Sequence, residues 1–299
     1  MKTMVIVNGS AGGGRCAKAA PAALGVLRAG GMTFDVEHTQ AQGDATRLAQ
    51  QAYNNGVRRF IVLGGDGTTF EVINGLFPRA YQRDPVEIGM VPLGTGNSFL
   101  RDFGVESERE AFAAVLSGRS RGCDVVRLEH DQGVVFFINL LSLGFSATVG
   151  ALRNRRYPGW GTMGYILAVA ASLRKLEAER CECRVDDAPT NEVLDYVLLS
   201  FSNSQYTGGR MHMAPNASSS DGLVDIIHAA PMSRAQLLLS FPRIFRGSHI
   251  RLSKVQQRRA KRVRFSGVTN RPVMLDGEIM HLSPRCLEVL PHAIRVRVL

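Results

Sequence analysis

The pattern that most constrains the fold is a short apolar run that ends in a glycine-rich segment, repeated along the first half of the chain. Runs at 4–7, 60–63 and 88–91 have the length and apolar character of buried strands, and each leads into glycines. Helix-forming stretches follow the first two runs. Strand–loop–helix units of this length predict a parallel sheet with helices on both faces. Ligands of such sheets bind beyond the carboxyl ends of the strands, where these glycines lie.

After about residue 128 the pattern changes to frequent strands without regular crossover helices. The predicted strands are 134–141, 180–185, 193–202, 222–228, 262–265 and 273–275, and the predicted helical segments are 146–153, 163–176 and 233–245. This order favours an antiparallel sheet or sandwich. We therefore predict an α/β protein of two domains, 1–128 and a β-rich 129–299, and leave open a return of the last strands to the first domain.

The second glycine-rich segment has the residue types of a phosphate site. It reads Gly64-Gly65-Asp66-Gly67-Thr68 and precedes a predicted helix over 69–77. Glycines let the backbone approach a phosphate closely, and a helix N-terminus adds N–H donors and partial positive charge. Asp66 can hold Mg²⁺ against that phosphate. The alternative is an ordinary tight turn, which the position between strand and helix disfavours.

Two further segments can wall the same site. Pro92-Leu93-Gly94-Thr95-Gly96-Asn97 follows the next strand, and its Thr and Asn can donate hydrogen bonds to phosphate or ribose. The N-terminal segment 8–14 is the third wall. It lacks the Gly-Lys-Ser/Thr ending of a P-loop, so a P-loop NTPase is disfavoured.

These motifs resemble the diacylglycerol kinase/sphingosine kinase catalytic family, and the resemblance covers nearly the whole chain. The family pairs Gly-Gly-Asp-Gly-Thr with Pro-Leu-Gly-Thr-Gly-Asn, as 64–68 and 92–97 do here. Its later blocks are matched by 137–139 with Gly144 and Phe145, by 211–215 with Ser218, Asp221, Gly222, Leu223 and Asp225, and by 275–278. The resemblance implies an NAD-kinase-like, parallel-sheet nucleotide-binding domain and a second, β-rich sandwich domain.

The resemblance also implies roles for individual residues. The implied nucleotide-binding residues are Asn8, Ser10, Thr39, Gly64, Gly65, Asp66, Gly67, Thr68, Thr69, Phe70, Glu71, Gly94, Thr95, Gly96 and Asn97. Asp276 is implied as the general base that accepts the proton of a lipid hydroxyl, with Glu278 and Asp66 positioning the base or the metal. A second, structural Mg²⁺ site is implied at Ser218, Asp221 and Leu223. Asp276-Gly277 and Asp221-Gly222 are also typical of plain turns, and that alternative stays open.

Some positions depart from the family pattern. Ser98 stands where bacterial diacylglycerol kinases usually have Asp, and Phe70 stands where Asn is common. Gly9 and Ala11 replace the usual Pro and Ser of the first loop. These departures affect the choice of substrate more than the fold.

The positive charge lies in the second half. The chain has 36 Lys and Arg against 26 Asp and Glu, a net charge of +10. Cations crowd residues 243–264, beside an apolar run at 237–241. This favours binding to an anionic membrane surface, with a solvated charged face as the alternative. Nucleic acid is disfavoured, because the stretch has few aromatic residues for stacking.

The sequence as a whole predicts an ATP- and Mg²⁺-dependent lipid kinase. Diacylglycerol is the first candidate substrate, and a sphingoid base or ceramide is the second. The alternatives are a soluble kinase similar to NAD kinase and a catalytically inactive nucleotide-binding regulator. The apolar run 5–7 is too short for a signal peptide, and no stretch reaches the roughly 20 apolar residues that span a bilayer. We expect a cytoplasmic protein at the inner face of the membrane, and a homodimer stays open.

Overall fold

The computed structural model describes residues 1–82, 85–94, 98–157 and 160–299 of the 299-residue chain. The chain forms two compact units. Unit 1 comprises Met1–Val125 and Leu290–Leu299, and unit 2 comprises Val126–Val289. The last ten residues therefore belong with the first part of the chain.

Strands and helices alternate in unit 1, whereas strands dominate unit 2. The strands are β1 Thr3–Val7, β2 Asp35–His38, β3 Arg59–Gly64, β4 Val86–Pro92, β5 Ser120–His130, β6 Gly133–Phe137, β7 Leu140–Gly144, β8 Glu179–Val185, β9 Glu192–Tyr196, β10 Leu198–Ser202, β11 Tyr206–Thr207, β12 Met211–His212, β13 Val224–Ala229, β14 Val255–Ala260, β15 Arg262–Ser266, β16 Arg271–Leu275, β17 Glu278–Leu282 and β18 Pro284–Arg297. The α-helices are α1 Arg15–Ala29, α2 Asp44–Asn54, α3 Asp66–Leu76, α4 Arg79–Gln82, α5 Glu108–Leu116, α6 Phe145–Arg156, α7 Gly161–Ser172 and α8 Arg234–Ser240.

Unit 1 is built on a parallel sheet in the order β2-β1-β3-β4, and residues 294–296 of β18 pair in parallel with β4. Strands β1, β3 and β4 are mostly apolar and almost wholly buried, whereas the edge strand β2 is polar and largely exposed. The apolar side of α1 packs on this sheet: Cys16, Leu24 and Leu27 join the cluster that contains Val5, Ile61 and Val91. Burial on both faces explains why these strands read as continuous apolar runs.

Unit 2 is built on antiparallel strands. One sheet has the order β14-β13-β10-β7-β16-β17. Other strands of the unit pair separately: β9 with β8, β8 with β15, and β6 with β5. The parallel sheet of unit 1 and the β-rich sandwich of unit 2 confirm the predicted fold class.

Two segments predicted as single strands are each two strands. The chain leaves β6, which pairs with β5, and enters β7, which pairs with β10, within residues 138–139. It leaves β9, which pairs with β8, and enters β10 at Val197. The chain changes sheets at both places, as sandwich corners require. The apolar pattern continues across each corner, so periodicity alone did not show the break.

The predictions also missed or displaced some elements. The strands β14, β17 and β18 were not predicted, and β14 is rich in Arg and Gln. The helix predicted to begin at Thr69 begins at Asp66, one turn earlier. The N-cap of α2 is Gly43, and the carboxylate of Asp44, the first residue of the helix, accepts hydrogen bonds from the N–H groups of Gln40 and Ala41.

The contact between α2 and α3 in unit 1 requires glycine, which has no side chain, at position 75. A Cβ at this position of α3 would lie 2.2 Å from the carbonyl oxygen of Thr46 on α2. Gly75→Ala should therefore lower the free energy of unfolding by about 2 kcal/mol, because backbone has to move. Gly25→Ala is the matched control, since Gly25 lies in α1 with no neighbour within 4 Å of an added Cβ. It should raise the free energy by about 0.5–1 kcal/mol. Urea unfolding measures both, and equal effects would contradict this account of the α2–α3 contact.

Candidate functional site

The carboxyl ends of the parallel strands of unit 1 meet at one edge of the sheet. Val7, the last residue of β1, lies opposite His38 of β2 and Leu63 of β3, and Gly64 lies opposite Pro92 of β4. The three glycine-rich segments leave the sheet from this edge. The geometry therefore brings together the segments that the sequence predicts as three walls of one site.

The connection from β3 to α3 is shorter than the sequence predicts. Gly64 ends the strand and Asp66 starts the helix, so Gly65 alone joins them. The N–H groups of Thr68 and Thr69 both donate to the Gly65 carbonyl, at 3.0 and 3.1 Å. The residues Asp66 to Thr69 therefore form the first turn of a helix rather than a loop, and their peptide dipoles make this end of α3 partly positive.

Glycine is required where the segments touch one another. A Cβ on Gly94 would lie 2.9 Å from Cα of Gly65, and a Cβ on Gly12 would lie 2.9 Å from the carbonyl oxygen of Leu93. The N–H of Gly94 also donates to the carbonyl of Gly64 at 3.0 Å. Any side chain at these two glycines would push the segments apart. Thr95, Gly96 and Asn97, which continue the second wall, lie outside the described residues.

Arg15 was not predicted as a site residue, yet it links two of the walls. It is the first residue of α1, and its guanidinium donates to the Leu93 carbonyl at 3.3 Å and to the Gly94 carbonyl at 2.5 Å. The rigid fork of an Arg side chain suits two adjacent acceptors. The first wall is therefore fastened to the second through a side chain whose partners are backbone atoms.

Asp66 lies against the start of the segment that follows the second wall. Its Oδ2 accepts a hydrogen bond from the N–H of Ser98 at 3.2 Å, and Ser98 is buried. Burial raises the pKa of Asp66 to about 6, although the hydrogen bonds from Ser98 act in the opposite direction. A carboxyl group with this pKa changes its charge near neutral pH, and a cation beside it would favour the charged form.

Other predicted nucleotide-binding residues lie at the same edge. The Nδ2 of Asn8 donates to Oγ1 of Thr68 at 2.9 Å, and the Oδ1 of Asn8 accepts from the N–H of Ser10. The N–H of Thr39 donates to the carbonyl of Val7, which holds Thr39 just beyond β2. Asn8 therefore joins the end of β1 to the first turn of α3.

Glu71 has a different position from the rest of the predicted set. Its carboxylate accepts hydrogen bonds from the N–H groups of Gly43 and Ala45, at 2.9 and 3.1 Å. These groups begin α2, so the Glu71 carboxylate caps that helix. Phe70, one position earlier, is half-buried. The hydrogen bonds of Glu71 give it a clear structural task in joining α2 to α3.

In unit 2, Asp276 forms a turn and binds backbone amides. Asp276 and Gly277 are the two residues between β16 and β17, both with positive φ (49° and 94°), as a tight hairpin turn requires. The Asp276 carboxylate accepts hydrogen bonds from the N–H groups of Ile138, Asn139 and Leu140, each at 2.9 Å. The turn predicted as the plain alternative therefore exists, and its carboxylate also fixes the corner between β6 and β7. Glu278, half-buried, begins β17 directly after the turn.

The predicted metal ligands lie on one turn before β13. Oδ1 of Asp221 accepts from the N–H of Leu223 at 3.1 Å, and the hydroxyl of Ser218 lies 3.5 Å from that of Ser220. Hydroxyl, carboxylate and carbonyl oxygens are the donors that Mg²⁺ prefers. The Oδ2 of Asp225 nearby is buried without a hydrogen-bond partner, which also suits a cation.

A cation of the protein already lies beside this turn. The guanidinium of Arg259 is 3.4 Å from Asp225 and 3.9 Å from Asp221, and it donates to the Asn216 carbonyl. The oxygen donors of this turn fit a hard divalent cation. A bound cation would share the carboxylates of Asp221 and Asp225 with the guanidinium of Arg259.

Comparisons with known proteins cover both units. The sequence model of the diacylglycerol kinase catalytic domain matches residues 2–128, and that of the YegS C-terminal NAD kinase beta sandwich-like domain matches residues 139–298. The chain is similar to a protein named diacylglycerol kinase from Mycobacterium tuberculosis H37Rv, with 32% identity over 99% of this chain and 94% of that protein. It is also similar to "Probable lipid kinase YegS-like" from Pectobacterium atrosepticum, with 28% identity over 99% and 95%.

A crystal structure titled as a diacylglycerol kinase from Bacillus anthracis str. Sterne has the same fold. Its TM-score is 0.72 at 22% identity, and the match covers 100% of this chain and 97% of that one. The fold therefore agrees with the sequence comparisons.

The raised pKa of Asp66 predicts a pH dependence of stability. The folded state holds the Asp66 proton more tightly than the unfolded state, so this contribution is fully present below about pH 4 and is lost as the pH rises through 6. The free energy of unfolding of the wild-type protein should fall, relative to Asp66→Asn, by about 2 kcal/mol between about pH 4 and pH 7. Urea unfolding across this range measures the difference. Asp35→Asn, on the exposed strand β2, reports the effect of net charge alone. If the free energy of unfolding depends on pH in the same way for the wild-type protein and Asp66→Asn, the pKa of Asp66 is not raised.

Proposed function

The chain belongs to the diacylglycerol kinase family of lipid kinases, and on this premise we propose that it transfers the γ-phosphoryl group of ATP to a hydroxyl of a membrane lipid. Diacylglycerol is the first candidate, as the name of the M. tuberculosis relative suggests. The observation that carries the proposal is the meeting of three glycine-dependent segments at the carboxyl edge of the parallel sheet, in the part of the chain that matches the diacylglycerol kinase catalytic domain.

The nucleotide phosphates bind at the first turn of α3 in this proposal. The N–H groups of a helix N-terminus suit phosphate oxygens, and glycines at 65 and 94 allow the closest approach of backbone. Asn8, Ser10 and Thr39 border the same edge. Thr95, Gly96 and Asn97 complete the proposed set, whereas the hydrogen bonds of Glu71 support a role for it in packing.

Asp276 is the proposed general base. The lipid hydroxyl oxygen bonds to the γ-phosphorus as the bond to the bridging oxygen of ADP breaks, and the hydroxyl proton passes to the Asp276 carboxylate. Three amide donors fix the position of this carboxylate. Phosphoryl transfer depends chiefly on alignment and charge neutralisation, so a fixed proton acceptor suffices. Glu278, at the next strand, is proposed to position the base.

Magnesium is proposed at two places. Asp66 is the residue of unit 1 proposed to hold Mg²⁺, which would neutralise charge that develops during phosphoryl transfer. Ser218, Asp221 and Leu223 are proposed as a second, structural site in unit 2. The donor types and the orphaned oxygen of Asp225 support the second site.

The kinase proposal is tested with labelled ATP and a panel of lipid and soluble acceptors. We expect Mg²⁺-dependent phosphorylation of diacylglycerol, with sphingosine, ceramide, phosphatidylglycerol, undecaprenol and NAD as the alternatives. Phosphorylation of ceramide or sphingosine alone would identify the second candidate as the substrate. Ser98, which differs from the residue usual in diacylglycerol kinases, makes this alternative worth testing. Product on NAD alone, or on no acceptor, would overturn the lipid kinase proposal and favour a soluble kinase or an inactive regulator.

Asp276→Asn should lower kcat by at least about 100-fold. This substitution also places an amide NH₂ group against backbone N–H donors, so some loss of stability is expected as well. Asp186→Asn is the matched control, because Asp186 has the same φ of 49° and its carboxylate accepts from the N–H groups of Lys261 and Arg262. It should lose stability while kcat per folded molecule stays unchanged. Equal kcat losses in the two variants would show that Asp276 acts only through folding.

The structural metal site predicts a stabilisation by Mg²⁺ alone, without nucleotide. At ten times its Kd, Mg²⁺ should raise the free energy of unfolding by about 1.4 kcal/mol. Asp221→Asn should abolish this gain, whereas Asp187→Asn, an exposed acid of the same unit, should retain it. Urea unfolding with Mg²⁺ or with EDTA measures the difference. If Mg²⁺ does not raise the free energy of unfolding of the wild-type protein, the guanidinium of Arg259 is the cation that neutralises the carboxylates of this turn.

A further inference from the structure

Two helices of unit 2 expose apolar side chains side by side. The residues are Trp160 and Met163, Ile166 and Leu167 of α7, and Leu238 and Leu239 of α8, which we call the apolar face. Leu239 is 78% exposed and Trp160 is 60% exposed. Scattered apolar residues are ordinary on protein surfaces, but several large ones on two helices that pack on the same cluster are typical of a binding surface.

The packing of these helices fixes which sides face outward. Ala168 and Val169 on the inner side of α7 are buried against Phe145 and Val149 of α6. Leu237 and Phe241, from α8 and the turn after it, pack on the same cluster. The guanidinium of Arg234 at the start of α8 donates to the carbonyl of Arg174, just beyond α7. The inner sides are therefore occupied, and the apolar face cannot turn inward.

The charged residues of the segments around this face, apart from histidine, are all Lys or Arg. Residues 145–176 and 233–256 each contain five Lys or Arg, and neither contains an Asp or Glu. Five exposed cations have no carboxylate partner within the described parts of the chain: Arg155, Arg156, Arg243, Arg246 and Arg251. Unpaired positive charge therefore lies in the elements next to α7 and α8 along the chain.

The other half of the basic region behaves differently. Arg258 binds Glu192 through two hydrogen bonds of 2.8 Å, and Arg262 pairs with Glu288. Arg259 pairs with Asp225. These cations neutralise acids of the fold, so the sequence-based expectation of one basic docking surface over 243–264 narrows to its first part.

We propose that the apolar face inserts into the surface of an anionic bilayer, with α7 and α8 lying in the interface and the unpaired arginines of α6 and of the turns after α8 meeting lipid phosphates. This rests on the proposed function, because a lipid kinase has to reach its substrate at a membrane. A helix that lies in the plane of the interface buries its apolar side about 5–10 Å into the boundary between headgroups and acyl chains. Among the described residues, no helix is long and apolar enough to cross a membrane, and insertion in the plane of the interface needs no such helix.

Charge argues against a second copy of the chain as the occupant. A two-fold interface brings the same surface of both copies together, so the unpaired arginines of one copy would face those of the other. An anionic bilayer offers the opposite charge and attracts each cation near its surface.

The chain supplies its own probe for the test. Trp160 is its only tryptophan. With vesicles of phosphatidylcholine containing about one-third phosphatidylglycerol, the Trp160 emission should shift to the blue, and lipids brominated on their acyl chains should quench it. Pure phosphatidylcholine vesicles should bind at least about tenfold more weakly. These readouts need neither ATP nor substrate, so a failure of catalysis leaves them intact.

Variants separate the apolar contribution from the charge contribution. Leu238→Ser with Leu239→Ser should weaken vesicle binding by at least about tenfold, because both side chains are exposed and contribute little to folding. Val193→Ser is the control, since Val193 is 58% exposed in unit 2 but lies in β9, outside the face. Arg243→Gln with Arg246→Gln should weaken binding to anionic vesicles by about tenfold or more.

The charge control removes the same charge elsewhere, with Arg109→Gln and Arg285→Gln, and should leave binding unchanged. Unchanged Trp160 emission with anionic vesicles would overturn the proposal. So would equal binding by the double-leucine variant and the wild-type protein. If light scattering shows that the wild-type protein is a dimer and the double-leucine variant is a monomer, the face serves self-association instead. A variant that loses activity on vesicles but keeps it on a short-chain, water-soluble diacylglycerol would locate the loss at the membrane rather than in the chemistry.

Discussion

The candidate nucleotide site depends on backbone-to-backbone contact between glycines. Gly94 lies on Gly65, and Gly12 lies on the carbonyl of Leu93, at separations that no Cβ could occupy. This contact lets the peptide groups of three chain segments converge within a space where side chains would otherwise keep them apart. The guanidinium of Arg15 then fastens the first segment to the second through carbonyl groups. In the proposed nucleotide site, the positive end of α3 and this cation would let a nearly neutral part of the chain attract phosphate.

The sequence predicted that these segments meet at one edge of the sheet, because the strand–glycine–helix pattern reflects a local requirement of the backbone. It misplaced the start of α3 by one turn, since Gly67 was assigned to a loop although the first turn of a helix tolerates glycine. It missed Arg15, whose partners are the carbonyls of Leu93 and Gly94. Side-chain-to-backbone bonds between segments distant in sequence leave no mark in the composition of either segment, so only the fold reveals them.

In unit 2 the limits of sequence reasoning have another origin. The chain passes from one sheet to another near Asn139 and at Val197, and the alternation of apolar residues is the same on both sides of each corner. One of these corners is held by the carboxylate of Asp276, which lies far along the chain. The residue that resemblance marks as catalytic is thus also a structural residue. The two interpretations of Asp276 as base and as turn are therefore compatible, since a base has to be held in place.

The return of β18 to unit 1 has a consequence for how the chain is made. Strand β4 pairs with β3 on one side, and on the other side it pairs with residues 294–296, which leave the ribosome long after β4 does. Until then, one edge of a mostly apolar strand lacks its neighbour, and such edges readily pair with other chains. The unit that is synthesised first is therefore the one completed last. Nascent chains of this architecture should depend on protection of that edge until residues 294–296 have been synthesised.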